Sequence, residues 1–532
     1  MKVLFKGGEI VDGTGAALYM GDIVVEADKI SRVAKGGLSA EEIENGTYDK
    51  VVDCTGKQIC PGLIDAHSHN DFFYDRDDAE MFYRPFLEQG ITTQITGNCS
   101  FSPFGVEPDS PHLDKVGGGL FHAVKAGSFA EFKERAKGRL YVNMVPLIGH
   151  GTVRCSISGY DPTPLNSEQI EREMKLVDEA MEGGAFGGSF GFMYEPGMYA
   201  EKEELYAFAK EIAKYDGIVT VHPRACSKVA LGYPLFGTPP HIEMALDEVI
   251  DIMEKSKCRM EYSHLIFTGT SSWPSIDPML KKFHDYNDRG YKIAYDNYSM
   301  TYGASVITLA LPPWYLALSE KDRKKKGNIL KLKATIFATK KLLGLDWCDF
   351  TIAYISDEHK EYEGRIISEI AKEEGMSDMD MYLKLVELSK AQGRIYVDKY
   401  YNDEHIRRLM EDDLSIFMTD AWVEEAGVQN GSAFQCFPYF FVRAKKYGIP
   451  LEKVVRKMTG ETVDRFCIKN RGYLKEGYAA DITVIDFNGM SVNIKNPSEK
   501  PVGICHVYVN GEAAVENGKF TGGHTGEVLL KN

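Results

Sequence analysis

Eight short apolar runs punctuate the middle of the chain, and longer amphipathic segments such as 167–183 and 201–215 separate them. Short runs rich in β-branched residues that alternate with helical segments are typical of parallel βαβ units. Eight such units are enough to close a barrel, so the sequence predicts an α/β fold of the (β/α)8 TIM-barrel type. The predicted strands span residues 58–69, 90–99, 141–151, 185–192, 217–224, 258–265, 291–298 and 414–420.

The two ends of the chain have a different pattern. Residues 1–57 and 467–532 contain short alternating strands that are divided by glycine and aspartate turns, as in an antiparallel sheet. Neither end has enough strands to enclose a core alone. We therefore expect one small β-sandwich domain from residues 1–57 and 467–532, and a barrel domain over residues 58–466.

The spacing of the strands changes once, between the seventh and the eighth. About 100 residues, roughly 301–402, lie there, although structureless loops of more than about 15 residues are uncommon in compact domains. A largely helical insertion is therefore predicted. Its role, as a cover over the substrate or as a packing element, is left open.

Charge and composition limit the partners. The net charge of −16 argues against nucleic acid or an anionic membrane as a partner, and the short basic run 321–326 (KDRKKK) is interpreted as a solvated helix face. No apolar run approaches the ~20 residues of a membrane span, and the N-terminus becomes polar too early for a signal peptide. The ten cysteines form no CxxC pair, which favours reduced thiols and a cytoplasmic location. The oligomeric state is left open.

Residues suited to metal binding follow the predicted strands at their carboxyl ends, where barrel enzymes build their active sites. His67 and His69 are two residues apart on the first strand, so their side chains point to one side. Imidazole, thiolate and carboxylate groups that converge on one mouth suit Zn²⁺. The six candidate ligands are His67, His69, Cys99, His222, His264 and Asp420. His150, at the end of the third strand, is a candidate for a second layer or a substrate contact.

Several motifs that contain these residues resemble the amidohydrolase superfamily and, within it, the N-acyl-D-amino-acid deacylases (D-aminoacylases). The resemblance covers nearly the whole chain and rests on motifs such as PGLIDAHSHND, GITTQITGNCSFSP, EAMEGGAFGGSFGFMYEPGMYA and RGYLKEGYAADITVID. Many superfamily members bridge two metals with a carboxylated lysine on the fourth strand, but here that strand reads AFGGSFGF. The deacylase family has a cysteine after the second strand instead, and Cys99 stands there.

The resemblance implies a metal-dependent hydrolase of C–N bonds other than peptide bonds, with a small-molecule N-acyl amide as substrate. It assigns Cys99, His222 and His264 to a tight zinc site, and His67 and His69 to a weaker second site. The second site would share Cys99 and Asp420, and Asp420 would act as the general base. Tyr194 and Tyr298 match tyrosines that are expected at the substrate.

The sequence departs from the family where the family binds a substrate carboxylate. Ile266 stands in place of a lysine, and Ser432 falls near the position of an arginine. Two explanations stay open: Arg224 takes over the carboxylate, or the substrate carries none. The pocket is expected to be lined by Ile266, Tyr298, Phe434 and Phe437.

Hydrolysis of a linear N-acyl amide is the function that these residues favour. Hydrolysis of a cyclic amide is an alternative, because hydantoinases and dihydroorotases share the barrel and the His-x-His pair. The missing fourth-strand lysine counts against it. A metal-free scaffold that retains only the barrel is the non-catalytic alternative.

Overall fold

The computed structural model describes residues 1–117, 127–230, 233–234, 238–316 and 318–531. Eight parallel strands follow one another around a barrel, and the ring closes where the Ala66 N–H donates to the Phe417 carbonyl and the Asp420 N–H to the His67 carbonyl. The predicted TIM-barrel fold is confirmed. The barrel strands are Leu63–Asp65, Ile91–Thr96, Asn143–Gly149, Gly187–Gly191, Ile218–His222, Arg259–Tyr262, Ile293–Asn297 and Ser415–Phe417.

Helices surround the barrel, and the sequence marks where they begin. The Asn166 side chain, for example, accepts a hydrogen bond from the Gln169 N–H, and this cap starts the helix Ser167–Glu182. Among the described helices, none combines the length and the apolar character that crossing a bilayer requires. The helices outside the insertion are Ala40–Asn45, Ala79–Leu87, Phe129–Ala136, His150–Ser158, Ser167–Glu182, Lys202–Lys214, His241–Ser256, Ile276–Asp288, Asp403–Glu411, Ser432–Tyr447, Leu451–Met458 and Gly460–Phe466.

Both ends of the chain contribute to one nine-stranded sheet, as the strand-rich termini predicted. Gln58–Pro61 joins them, because it pairs with Lys2–Ile10 on one side and with Ile482–Ile485 on the other. The sheet has its own apolar core, which includes Phe5 and Tyr508. Its strands are Lys2–Ile10, Tyr19–Glu26, Lys29–Lys35, Lys50–Asp53, Gln58–Pro61, Ile482–Ile485, Ile504–Val509, Glu512–Glu516 and Lys519–Phe520.

The strand predicted over residues 58–69 is divided between the two sheets. Gln58–Pro61 belongs to the terminal sheet, and Leu63–Asp65 opens the barrel. Gly62 lies between them, where an added Cβ would come within 2.2 Å of the Thr92 hydroxyl oxygen. The apolar pattern is continuous through this close crossing, so it gave no sign of the division.

The predicted insertion between the seventh and eighth strands is confirmed, and it contains more than helices. Three short strands, Gly303–Val306, Phe350–Tyr354 and Arg394–Val397, form an antiparallel sheet. Because these strands are short and far apart in the chain, they have no local sequence signature. The insertion returns to the barrel at Tyr401, whose hydroxyl donates to the Leu265 carbonyl at 2.8 Å. Its helices are Pro313–Leu316, Glu320–Arg323, Lys326–Leu343, Ile367–Glu373 and Asp378–Leu388.

Candidate metal centre

Three of the predicted histidines surround the Cys99 thiol at the carboxyl ends of the barrel strands. Cys99 Sγ lies 3.3 Å from His67 Nε2, 3.5 Å from His222 Nδ1 and 3.9 Å from His264 Nε2. Tetrahedral zinc with ordinary Zn–S and Zn–N bond lengths places sulfur and nitrogen about 3.6 Å apart. The spacing of Cys99, His222 and His264 therefore suits one zinc ion.

A second donor group shares the same thiol. Asp420 Oδ1 lies 3.5 Å from His67 Nε2 and 3.6 Å from His69 Nε2. The donor atoms of His67, His69, Cys99 and Asp420 all lie within 4.8 Å of one another. The structure thus brings the six predicted ligands together as two adjoining groups that have Cys99 in common.

The backbone is strained at three of these six residues. Cys99, His264 and Asp420 have φ angles of 52°, 38° and 47°, in the left-handed region that favours glycine. A non-glycine residue costs on the order of 1–3 kcal/mol in such a conformation, and these residues cluster at functional sites. Each of the three follows the end of a barrel strand, so the unusual turn aims its side chain into the mouth.

Burial sets the protonation of the ligands. It lowers the pKa of His67, His69 and His264 and lowers that of His222 well below its usual value, so the imidazoles are neutral, as metal coordination requires. Burial also raises the pKa of the Cys99 thiol, and the nearby carboxylates add to this effect. A thiolate at this position therefore needs a metal cation as its counter-charge.

Asp420 is the charged member of the cluster. Its burial opposes ionisation, but attraction to His67, His69 and His264, which become protonated as the pH falls, outweighs that effect and holds the pKa of the carboxyl well below its usual range. The mouth thus presents an ionised carboxylate next to neutral imidazoles.

The sequence-based prediction missed Asp296, at the end of the seventh strand. Its Oδ1 accepts a 2.5 Å hydrogen bond from the His264 N–H, and its Oδ2 lies 3.6 Å from His67 Nδ1. Metal-binding histidines usually have such a carboxylate behind them, which fixes the ring and its tautomer. Burial raises the pKa of Asp296 to about 7. The sequence did contain a signal for Asp296, because an acidic residue stands inside the buried run YKIAYDNY.

Aromatic side chains line the mouth around the donors. The Tyr194 hydroxyl lies 3.4 Å from His222 Nδ1, and the Trp422 ring meets the His69 ring edge-on with centroids 5.6 Å apart. Tyr298 follows the seventh strand, and burial raises its pKa and that of Tyr400, with the Asp420 carboxylate adding to both shifts. Trp422, two residues after Asp420, and Tyr400, in the insertion, were not predicted.

The structure does not bring His150 to this cluster. The third strand ends at Gly149, and His150 begins a helix that turns its ring away from the barrel mouth. Its Nε2 lies 2.8 Å from Glu204 Oε1, between the rings of Phe190 and Phe208.

Arg224 and Ser432 are each occupied elsewhere. The Arg224 guanidinium donates three hydrogen bonds to the Glu248 carboxylate, at 2.9 Å, 3.0 Å and 3.2 Å. Ser432 is buried at the start of the helix Ser432–Tyr447, where its backbone N–H donates to Asn430 Oδ1 at 3.0 Å.

Of the four side chains expected in the pocket, two lie outside it. Phe434 faces an outer groove beside Arg84, and Phe437 is fully buried in the core. Ile266 follows the sixth strand and is 8% exposed, and Tyr298 is buried with its ring edge-on to that of Tyr401.

Comparisons with known proteins place the chain in a family, although no family model matches it. A D-aminoacylase of Alcaligenes xylosoxydans xylosoxydans is 26% identical over 539 residues, which cover 99% of this chain and 97% of that protein. A dihydroorotase of Bacillus cytotoxicus is 39% identical over 505 residues, which cover 91% and 89% of the two chains.

Two solved structures have the same fold over 99% of both chains. One is a D-aminoacylase that is described as defining a subset of amidohydrolases, with a TM-score of 0.76 and 24% identity. The other is an N-acyl-D-glutamate deacylase of Bordetella bronchiseptica, solved with zinc and a phosphonate mimic of the tetrahedral intermediate, with a TM-score of 0.78 and 22% identity.

The chain belongs to the amidohydrolase superfamily and, within it, to the N-acyl-D-amino-acid deacylase (D-aminoacylase) family. It is an enzyme, a metal-dependent hydrolase that acts on C–N bonds other than peptide bonds.

Proposed function

We propose that this protein is a zinc-dependent amidohydrolase that cleaves a linear N-acyl amide bond. The observation that carries the proposal is the position of Cys99 Sγ, which belongs to both donor groups. Cys99, His222 and His264 would hold the tightly bound zinc, and His67 and His69 would complete a weaker site with Cys99 and Asp420. The zinc in the similar deacylase structure supports the choice of metal, and a D-aminoacylase with a binuclear metal centre supports the second site.

A bound zinc ion supplies Lewis-acid chemistry, which polarises a carbonyl and activates water. Asp420 is ionised, so it can accept the proton that the attacking water loses and then deliver that proton to the leaving nitrogen. The second transfer is needed because an amide nitrogen leaves poorly unless it is protonated. Burial keeps the Tyr194 phenol protonated, and we propose that it donates a hydrogen bond to the acyl oxygen.

We further propose that the scissile amide has no free carboxylate beside it. Ile266 and Ser432 replace the two cations of the family. Arg224 is paired with Glu248, and Arg154 is buried against Glu204. An unpaired carboxylate in a desolvated pocket costs several kcal/mol.

The test compares kcat/KM for an N-acyl-D-amino acid with that for its carboxamide. We expect at least a roughly tenfold preference for the carboxamide, since each absent charge-assisted bond is worth about 1.5–3 kcal/mol. Ile266→Lys should shift the ratio toward the free acid by about tenfold or more, whereas Ile266→Met should leave it unchanged. A marked preference of the unaltered enzyme for the free acid would contradict the proposal, and Arg224→Ala would then show whether Arg224 binds the carboxylate.

Hydrolysis of a cyclic amide is the second candidate, and the dihydroorotase relative favours it. The fourth strand, Gly187–Gly191, opposes it, because it carries Ser189 and no lysine, and the Ser189 hydroxyl donates to the Gly97 carbonyl at 2.5 Å. Dihydroorotate and a hydantoin therefore belong in the same substrate panel. Turnover of either one with a higher kcat/KM than every linear amide would make the cyclic-amide function the better assignment.

A further inference from the structure

The insertion contains a helix, Lys326–Leu343, that is apolar on two opposite faces. Leu332 and Ile336 are buried against the insertion, with exposures of 0% and 1%. Leu330 and Phe337 are 72% and 60% exposed and lie seven residues apart, on the outer face of the same helix. A helix on the surface of a globular protein normally has one apolar stripe, so the outer stripe needs a separate explanation.

The same segment is strongly basic. Residues 324–343 contain seven lysines and no acidic residue, although the whole chain has a net charge of −16. Three of these lysines have acidic partners, in the pairs Lys325–Asp322, Lys333–Asp380 and Lys340–Asp346. Among the residues that the structure describes, no carboxylate pairs with Lys331 or Lys341, which flank the outer stripe.

Aromatic residues continue this surface. The Lys331 ammonium lies 4.2 Å from the centre of the Trp314 ring, which meets Tyr315 edge-on, and the neighbouring Leu316 is 39% exposed. Tryptophan and tyrosine beside lysines and exposed apolar residues are typical of segments that lie at a membrane–water interface.

The helix is held on the active-site side of the barrel. The insertion leaves the barrel after the seventh strand, at its carboxyl end. Thr270, in the loop after the sixth strand, donates from its hydroxyl to the Gly344 carbonyl at 3.2 Å. A partner that binds the outer stripe would therefore contact the protein on the active-site side of the barrel.

We propose that the helix Lys326–Leu343 docks the protein on the surface of an anionic phospholipid bilayer. Leu330 and Phe337 would enter the boundary between headgroups and acyl chains, and the flanking lysines would contact the phosphates. The net charge of −16 does not prevent this contact, because charges more than about 8 Å away are largely screened at physiological ionic strength. The expectation of no membrane partner rested on the charge of the whole chain, whereas the helix Lys326–Leu343 by itself carries five lysines and no acidic residue.

The alternatives are less suited to this surface. If two copies of the chain met through this helix, two lysine-rich segments would face each other. An acidic protein would satisfy the lysines but would also have to cover an exposed phenylalanine and leucine with an apolar stripe of its own. A bilayer provides anionic groups and an apolar layer side by side. The proposal is independent of the proposed function, because it uses no residue of the metal centre.

Flotation of the full-length protein with vesicles tests the proposal. We expect binding to vesicles of equal parts phosphatidylcholine and phosphatidylglycerol, weak binding to phosphatidylcholine alone, and a steep decrease with added salt. Leu330→Ser with Phe337→Ser should lower the partition coefficient at least about tenfold. Lys331→Gln and Lys341→Gln should each lower it about fivefold.

The matched control is Val502→Ser, which removes a 60% exposed apolar residue outside the insertion and should leave binding unchanged. Since every altered residue is exposed, the thermal midpoint and kcat/KM on a water-soluble substrate should also be unchanged. Absence of binding to the anionic vesicles, or equal binding by the Leu330→Ser, Phe337→Ser variant, would overturn the proposal. A dimer in sedimentation velocity that this variant abolishes would assign the surface to a second copy instead.

Discussion

Among the residues that the structure describes, two buried clusters combine histidine with carboxylates, and only one of them is arranged to bind a metal. At the barrel mouth, neutral imidazoles and the Cys99 thiol surround the ionised Asp420. The second, the helix cluster, consists of His150, Glu173 and Glu204 between the outer helices. There His150 Nε2 lies 2.8 Å from Glu204 Oε1 and 3.3 Å from Glu173 Oε1. By the distances between donor atoms alone, both clusters suit a metal ion.

Charge balance separates the two clusters. In the helix cluster, the Arg154 guanidinium pairs with Glu204, so a cation of the protein already stands beside that carboxylate. Burial, with Glu204 nearby, raises the pKa of Glu173 well above its usual value, so this carboxyl is protonated. Little negative charge remains for a divalent ion. Donor type and spacing therefore define a metal site only when the protein leaves the donor charge uncompensated.

The helix cluster still supports the metal centre, because it fixes a helix that contacts the loop carrying Cys99. His150 and Arg154 fix the helix His150–Ser158 against Glu204. The first turn of this helix donates from the Thr152 N–H to the Ser100 carbonyl at 3.0 Å, next to Cys99. A structural ion pair thus holds the loop that presents the shared ligand.

The largest contrast between the clusters is expected from Cys99→Ala. Because the thiol belongs to both donor groups, its loss should weaken metal binding by more than about 100-fold and abolish turnover. Metal content by mass spectrometry and kcat measure the two effects. Cys226→Ala, four residues after His222 and outside both donor groups, is the control and should retain its metal. Full zinc in the Cys99 variant would refute the assignment of the shared ligand.

Asp420→Asn separates proton transfer from metal binding at the mouth. The amide keeps the shape of the side chain but cannot accept the proton, so kcat should fall at least ~10²-fold. The tightly bound metal should stay, since Cys99, His222 and His264 are unchanged. Parallel assays of rate and metal content check this, and an unaltered rate would remove Asp420 from the mechanism.

Asp296→Asn probes the support behind the ligands. A carboxylate behind a coordinating histidine typically contributes 10–100-fold to metal affinity, so a loss of about tenfold is expected. Competition with a chelator measures it. If affinity is unchanged, the contacts of Asp296 with His67 and His264 have only a structural role.

The smallest effect is expected from Glu173→Gln in the helix cluster. Glutamine resembles the protonated acid, so the free energy of unfolding at about pH 4, where the carboxyl is largely protonated in both states, should change by no more than about 1 kcal/mol. With its pKa raised in the folded state, Glu173 costs no stability below about pH 4.5 but lowers stability progressively as the pH rises.

The glutamine variant lacks this decline, so its stability relative to the unaltered protein should increase with pH. Denaturant unfolding between pH 4 and pH 8 measures the difference. Loss of metal in this variant would show that the helix cluster is a metal site after all.

The six ligand candidates were predictable because each lies at the end of an apolar run, and such runs fix both the strand and its carboxyl end. His150 lies at such an end too, but there the strand gives way to a helix after Gly149, two residues before the predicted end of the strand. The place of Tyr400 depends on how the insertion packs on the barrel, which local sequence does not encode. The pairing of Arg224 with Glu248 likewise depends on the tertiary structure. Glu248 lies in the helix His241–Ser256, which begins 17 residues after Arg224 in the chain.

The terminal sheet has a consequence for the timing of biosynthesis. The Gln58 side chain accepts a hydrogen bond from the Phe487 N–H, and these residues lie 429 positions apart in the chain. At roughly 5–20 residues per second, a ribosome needs about 20 to 90 seconds to make the stretch between them. During that interval Gln58–Pro61 has no strand Ile482–Ile485 to pair with, and its unsatisfied edge is open to other nascent chains. Production of this protein should therefore benefit from slow expression at low temperature and from chaperones that cover strand edges.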